Sequence, residues 1–330
     1  MTSDETKSTF LPVIKTKFGF FISKWTAKVQ KNMQISTESD KFAPLNISKM
    51  KIYTHQNELK QAIGSYKKSG KTIGFVPTMG ALHQGHLQLI ENASQENDIT
   101  VVSIFVNPTQ FNNTEDLEKY PRTLQADAEK IENLNPNVLV YAPEAKDIYG
   151  ENIASDKFDF EGLDAVMEGA FRPGHFDGVG TVVKKLFEIV TPNKAYFGEK
   201  DYQQLLIIKK MVQQTGLNVQ IVPCPIVRDK NGLALSSRNQ RLSSPMLTKA
   251  PFIYQTLLQA KVMFATQSPT EVKQWVEERF KNQPDFELEY FIIADADTLQ
   301  SFDYKEENKK YRAFIAVYAE GVRLIDNILF

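Results

Sequence analysis

Apolar positions set the first frame of this chain. Thr72–Pro77, Ile99–Val106, Val138–Tyr141, Lys194–Phe197 and Val219–Pro223 are short apolar runs, and they read as strands. Between them Leu124–Leu134, Thr181–Val190 and Tyr202–Val212 carry apolar residues at helical spacing. Strands alternating with helices predict a parallel sheet covered by helices, a Rossmann-like doubly wound α/β fold. After Arg228 the pattern changes. Asp229-Lys230-Asn231-Gly232 leads into helical periodicity at Leu247–Ala265 and Thr270–Phe280, then strand-like Leu288–Ala294, Arg312–Tyr318 and Val322–Phe330. Helices followed by a set of strands, expected to be antiparallel, predict a smaller C-terminal α+β domain. The expected division is an extension over 1–49, a Rossmann-like domain over 50–230 and the second domain over 231–330.

The extension differs in composition. It is lysine-dotted and rich in Ser and Thr, with one apolar knot at Phe18-Gly19-Phe20-Phe21-Ile22. It has no Arg and opens with Asp4 and Glu5, which argues against a transit peptide. A poorly ordered tail is the expectation, with a short amphipathic helix over Phe18–Val29 as the alternative. Met50 is a plausible start of the folded part and a candidate start of translation.

Bulk numbers then narrow the classes. At 330 residues, 42% hydrophobic and 24% charged, the chain buries a large core. A net charge of -1 gives no general field for nucleic acid or anionic membrane. No window approaches the run of about 20 apolar residues that spans a bilayer. The single cysteine, Cys224, excludes an internal disulfide and a multi-thiolate zinc site, and makes the cytoplasm the expected compartment. Its place between Pro223 and Pro225 predicts a buried, inert thiol.

The candidate chemistry is concentrated in loops that follow strands, where open α/β sheets bind ligands. At Val76–His86 an apolar run breaks into a Gly-rich turn with His83 and His86, and helical spacing resumes at Leu87, Ile90 and Ala93. A strand that hands over to a helix N-terminus gathers unsatisfied N–H groups, and Gly80 and Gly85 allow close approach, so this reads as a phosphate site. The histidines would donate hydrogen bonds to phosphate oxygens. The chain has only four histidines: these two, His175, and His55 near the start of the folded part. Asn107 and Gln110 follow the second strand beside Phe111, where turn chemistry is the plainer explanation. Glu168–Gly180 is Gly-rich and reads as a mobile flap in which Arg172 and His175 close over an anion, or as a structural Gly/Pro loop. Gly198-Glu199-Lys200-Asp201 places Lys200 to meet phosphate, while Glu199 and Asp201 are explained as helix-start acids. Leu235-Ser236-Ser237-Arg238 offers hydroxyls and a guanidinium.

Taken together and in this order, the loops resemble the pantothenate synthetase (pantoate–β-alanine ligase) family of the nucleotidyltransferase superfamily. The motifs that carry the resemblance are Pro77–His86, Arg172–Phe176, Gly198–Gln204 and Ser236–Asn239, within a likeness running from about Met50 to Arg241 and more loosely beyond. Thr109 departs from it, since the family usually has Met there. The resemblance implies ATP-dependent joining of pantoate to β-alanine through a pantoyl-adenylate, with His83, His86, Lys200 and Arg238 as the catalytic set and His86 as proton donor. It surrounds ATP with Met79, Gly80, Ala81, Leu82, His83, Gln84, Gly85 and His86, with Gly198, Glu199, Lys200 and Asp201, and with Val227, Leu235, Ser236, Ser237 and Arg238. Gln110 and Gln204 match the pantoate-binding glutamines, Gln110 also lying near β-alanine. Mg2+ is expected with ATP, with Asp127 as its candidate carboxylate, and a homodimer is the common family state. Competing readings are a zinc hydrolase built on His83, His86 and His175, another adenylyl-transferring enzyme including one acting on tRNA, and a nucleotide-binding regulatory module. Net charge argues against tRNA, and the lack of G-x-G-x-x-G at the first turn against a NAD enzyme.

Overall fold

The computed structural model describes residues 50–111 and 114–330; the expectations for the extension lie outside them. The larger sheet is formed by β1 (Lys51–Tyr53), β2 (Ile73–Thr78), β3 (Ile99–Ile104), β4 (Leu139–Tyr141), β5 (Lys194–Gly198) and β6 (Gln220–Cys224). Its strand order is β1-β4-β3-β2-β5-β6, with every pair parallel.

Alternation along the strands explains the layering. Ile73 and Phe75 of β2, Val101 of β3, Leu139 and Tyr141 of β4, and Ala195 and Phe197 of β5 join one apolar cluster. That cluster includes α1 (Gln56–Lys68), α7 (His175–Val190) and α8 (Tyr202–Thr215). The intervening residues Val76, Val102, Val140 and Tyr196 face the other side, against α2 (Gln84–Glu96) and α4 (Leu124–Leu134). Both faces are covered, as a parallel sheet requires. The chain runs outward through β3 and β4 and returns to lay β5 on the opposite side of β2. The crevice therefore opens at the carboxyl end of β2, where the histidine turn lies.

Short helices fill the connections: α3 (Thr114–Lys119), α5 (Ala145–Tyr149) and α6 (Met167–Phe171). Two segments differ from the pattern-based reading. The stretch expected as a mobile Gly-rich loop is largely helical, as α6 and the first turns of α7. Its Gly178 is a packing glycine, because a Cβ there would lie 2.4 Å from the Thr109 carbonyl oxygen. The single helix expected over Leu247–Ala265 is two, α9 (Ser244–Lys249) and α10 (Phe252–Phe264), with Pro251 between them. Proline has no N–H to continue the ladder.

Helix α11 (Pro269–Lys281) precedes an antiparallel sheet of β7 (Phe286–Asp295), β8 (Tyr311–Ala319) and β9 (Val322–Leu329), in sequential order. Tyr311, Ala313, Ile315 and Val317 of β8 and Val322 and Leu324 of β9 pack with α9, α10 and α11 in a separate cluster. Phe314 joins the first cluster instead, so the opposite face of this sheet meets the Rossmann-like part. The described residues form one compact unit. Among the described residues no helix is long and apolar enough to cross a membrane.

Candidate active site

The turn after β2 is shaped by its backbone and by one distant acid. Gly80 has φ of 87° and Ala81 of 50°, so the chain reverses sharply. The Asp127 carboxylate, from the first turn of α4, accepts the N–H of Ala81 at 2.8 Å and of Leu82 at 2.7 Å, and the Thr123 hydroxyl at 2.9 Å. Asp127 is 0% exposed and serves as an anchor for the turn. Asp127, expected as the magnesium carboxylate, has both oxygens accepting these donors and does not line the cavity described below. Among the described residues no group of three His, Cys, Asp or Glu could hold a metal.

The histidines cap α2. His83 Nδ1 accepts the N–H of Gly85 at 3.1 Å, and His86 Nδ1 accepts the N–H of His83 at 3.3 Å, forming a reciprocal capping box. Both neutral rings therefore carry their proton on Nε2. The ring centroids are 4.1 Å apart. A Cβ on Gly85 would sit 2.8 Å from His83 Cε1, so glycine lets the ring fold back over the helix start. Burial, and then Lys200, push the His83 pKa down to about 4; burial, and then His83, push His86 down to about 3. Near neutral pH both are uncharged N–H donors.

These rings line a cavity of about 560 Å³ together with Met79, Gln110, Lys200, Asp201 and Gln204. Leu235, Ser236, Ser237 and Arg238 close another side, and Tyr120 also lines the cavity. Ser236 caps its own turn by accepting the N–H of Arg238 at 3.3 Å. Gln110 is set by its neighbours. Its Oε1 accepts from Asn107 at 3.2 Å, and its Nε2 lies 3.0 Å from Met79 Sδ. Asn107 is held in turn by the Tyr149 hydroxyl at 2.6 Å and the Thr109 hydroxyl at 3.2 Å. Thr109, where the resembling family usually has Met, thus joins a polar network behind Gln110.

Arg172 and His175 are brought together on the same loop. His175 Nδ1 donates to the Gln110 carbonyl at 2.8 Å, and Arg172 donates to that carbonyl and to His175 Nε2, each at 3.3 Å. Both side chains line the cavity, yet their hydrogen bonds hold the Gln110 main chain. With His175 using both nitrogens and His83 and His86 each using Nδ1, the three rings do not converge on a metal. Burial, and then Arg172, lower the His175 pKa to about 4.

Gln203 is buried and donates to the carbonyls of Leu163 and Val166, at 2.7 and 2.8 Å, and both it and Gln204 line the cavity. The side chains of Ala81, Leu82, Gln84, Glu199 and Val227 do not line it, nor do Gly80, Gly85 and Gly198. Leu82 is buried, and Val227 pairs its carbonyl with the N–H of Leu235 at 3.0 Å. Pattern reading missed Tyr120 and the wall supplied by the C-terminal sheet, Tyr290, Ile315, Ile325 and Asn327. An alternating strand gives no local signal for which cavity its outward face will meet.

The pantoate–β-alanine ligase family model matches residues 51–329. The chain belongs to this family. It is 58% identical over 279 residues to pantothenate synthetase of Flavobacterium psychrophilum, covering 84% of this chain and 99% of that protein. A second relative, from Christiangramia forsetii, is 56% identical over the same shares. Pantothenate synthetase from Thermus thermophilus superposes with a TM-score of 0.76 at 41% identity, covering 84% of this chain and 99% of that one. Pantoate–β-alanine ligase of Francisella tularensis, solved with β,γ-ATP and β-alanine, gives 0.68 at 39% identity over 85% and 97%.

Proposed function

We propose that this chain joins pantoate to β-alanine with consumption of ATP, releasing AMP and pyrophosphate through a pantoyl-adenylate. The observation that carries the reading is the convergence of uncharged His83 and His86, cationic Lys200 and Arg238, and the Ser236 and Ser237 hydroxyls on one cavity. A carboxylate oxygen of pantoate attacks the α-phosphorus, and the bond to the β-phosphate oxygen breaks with its electron pair leaving on pyrophosphate. Charge grows on phosphate oxygens during this step, and preset donors stabilise it without reorganising. The amine of β-alanine then attacks the acyl carbon, the acyl carbon–phosphate oxygen bond breaks with its electron pair leaving on AMP, and the amine's proton passes to solvent.

The histidines act here as hydrogen-bond donors. With pKa values pushed down to about 4 and 3, they offer Nε2–H without adding charge beside Lys200. Met79 to His86, Gly198 to Asp201, Val227 and Leu235 to Arg238 surround ATP, several of them through main-chain groups. Gln110 and Gln204 bind pantoate, and Gln110 also neighbours β-alanine. When bound with ATP, Mg2+ would neutralise charge on the phosphates. Asp201, 52% exposed and lining the cavity, is the carboxylate open to it. Residues 231–330 act as a lid that keeps water from the adenylate. A homodimer in the cytoplasm completes the reading, supported by the family resemblance.

Isotope exchange tests the intermediate. Labelled pyrophosphate should enter ATP only when pantoate is present and without any need for β-alanine. Exchange that needs β-alanine, or proceeds without pantoate, would overturn the adenylate pathway.

A further inference from the structure

Strand β9 runs through two environments. Val322 and Leu324 enter the C-terminal core, while Ile325, Asp326 and Asn327 reach the cavity wall. Asn327 is 2% exposed, and its amide nitrogen donates to the carbonyl oxygens of Glu199 and Lys200, both at 2.9 Å. Its Oδ1 accepts from the Arg312 guanidinium. The amide has one sensible orientation, since a flip would set oxygen against two carbonyls and NH2 against a guanidinium.

Its supports are themselves held. Arg312 lies 3.8 Å over the Tyr202 ring and reaches Glu199 Oε2 at 3.4 Å. Asp326 accepts the N–H of Asn327 at 2.8 Å and pairs through both oxygens with Arg228. Arg228 also donates to the carbonyl of Gly232 at 3.1 Å, and its guanidinium lies 3.6 Å over the Tyr254 ring. This grip passes from the C-terminal sheet to one short turn of the Rossmann-like part.

The two carbonyls are the ones that flank the Lys200 Cα. Fixing both peptide planes fixes the direction of the Lys200 Cα–Cβ bond, and hence the reach of its ammonium. Lys200 is 15% exposed, lines the cavity, and stands 3.6 Å from Asp201. We propose that Asn327 is a positioning residue for Lys200, through which the C-terminal sheet sets the cation that meets the triphosphate. The inference rests on the reading of Lys200 given above.

A double-mutant cycle on the full chain separates the two claims. The readout is pantoate-dependent pyrophosphate release, with kcat and KM for ATP and pantoate, for Asn327→Ala, Lys200→Ala and the pair. Displacing the lysine should lower kcat/KM for ATP on the order of 10²-fold in Asn327→Ala, with KM for pantoate unchanged. In the Lys200→Ala background, removing Asn327 should cost less than about twofold more, because coupled sites are not additive. Asn327→Asp keeps size and the Arg312 partner but turns an oxygen toward both carbonyls, so it gives the same ATP-selective loss if the alanine variant does not fold. Full additivity, or equal losses toward ATP and pantoate, would overturn the positioning role. A Lys200→Ala protein of normal activity would instead overturn the reading of Lys200.

Discussion

His83 and His86 spend Nδ1 on main-chain N–H groups, so the capping of α2 and the supply of two N–H donors are one arrangement. The same burial links them to stability. An unfolded histidine titrates near 6.5, whereas His83 and His175 in the folded chain titrate at about 4 and His86 at about 3. Below 6.5 the unfolded state binds more protons than the folded state. The contribution of these rings is therefore complete above pH 6.5 and is lost as pH falls toward 4 and 3. Urea unfolding across that range should show a shallower fall in stability for His86→Gln than for the parent chain. Parallel curves would mean that His86 is not held neutral. Asp127 is the residue whose task could not be foreseen: it was expected as a magnesium carboxylate, and the N–H groups that it holds, of Ala81 and Leu82, are 46 and 45 positions away.

At the scale of elements, legibility followed locality. Strand–turn–helix at Ile73–Glu96 was readable because its glycines, cap and apolar spacing are all local to that stretch. Gly178 shows the opposite case. Its glycine is required by the main chain of the Asn107–Gln110 loop, which α7 touches at backbone distance, and read locally it resembled a flexible loop. Gly178→Ala should push that loop away, raising KM for pantoate more than KM for ATP and lowering stability by about 1–3 kcal/mol. Steady-state kinetics with a thermal melt check this, and a variant matching the parent in both would show that the contact relaxes freely. Gln203 is a similar case: both it and Gln204 line the cavity, and nothing local in the sequence tells that Gln203 is tied to the distant Leu163 carbonyl.

Over the whole molecule, the cavity is a joint product of two sheets. The parallel sheet delivers the histidine turn and Lys200, while the antiparallel one supplies a wall and buried ties, Arg228 to Asp326 and Arg323 to Glu168. The expected fold class, a Rossmann-like parallel sheet with a smaller α+β part after it, matches the two observed sheets, but these crossing ties carry no periodic signal. The cavity, on this reading, performs three-substrate chemistry with the histidine pair as donors. AMP and pyrophosphate release by the purified chain with Mg2+, beside His86→Ala, tests it most directly. Release should need ATP, pantoate and β-alanine together for turnover, and kcat should fall by about 10²–10³-fold in the variant. Turnover without pantoate, or a His86→Ala protein as fast as its parent, would contradict it.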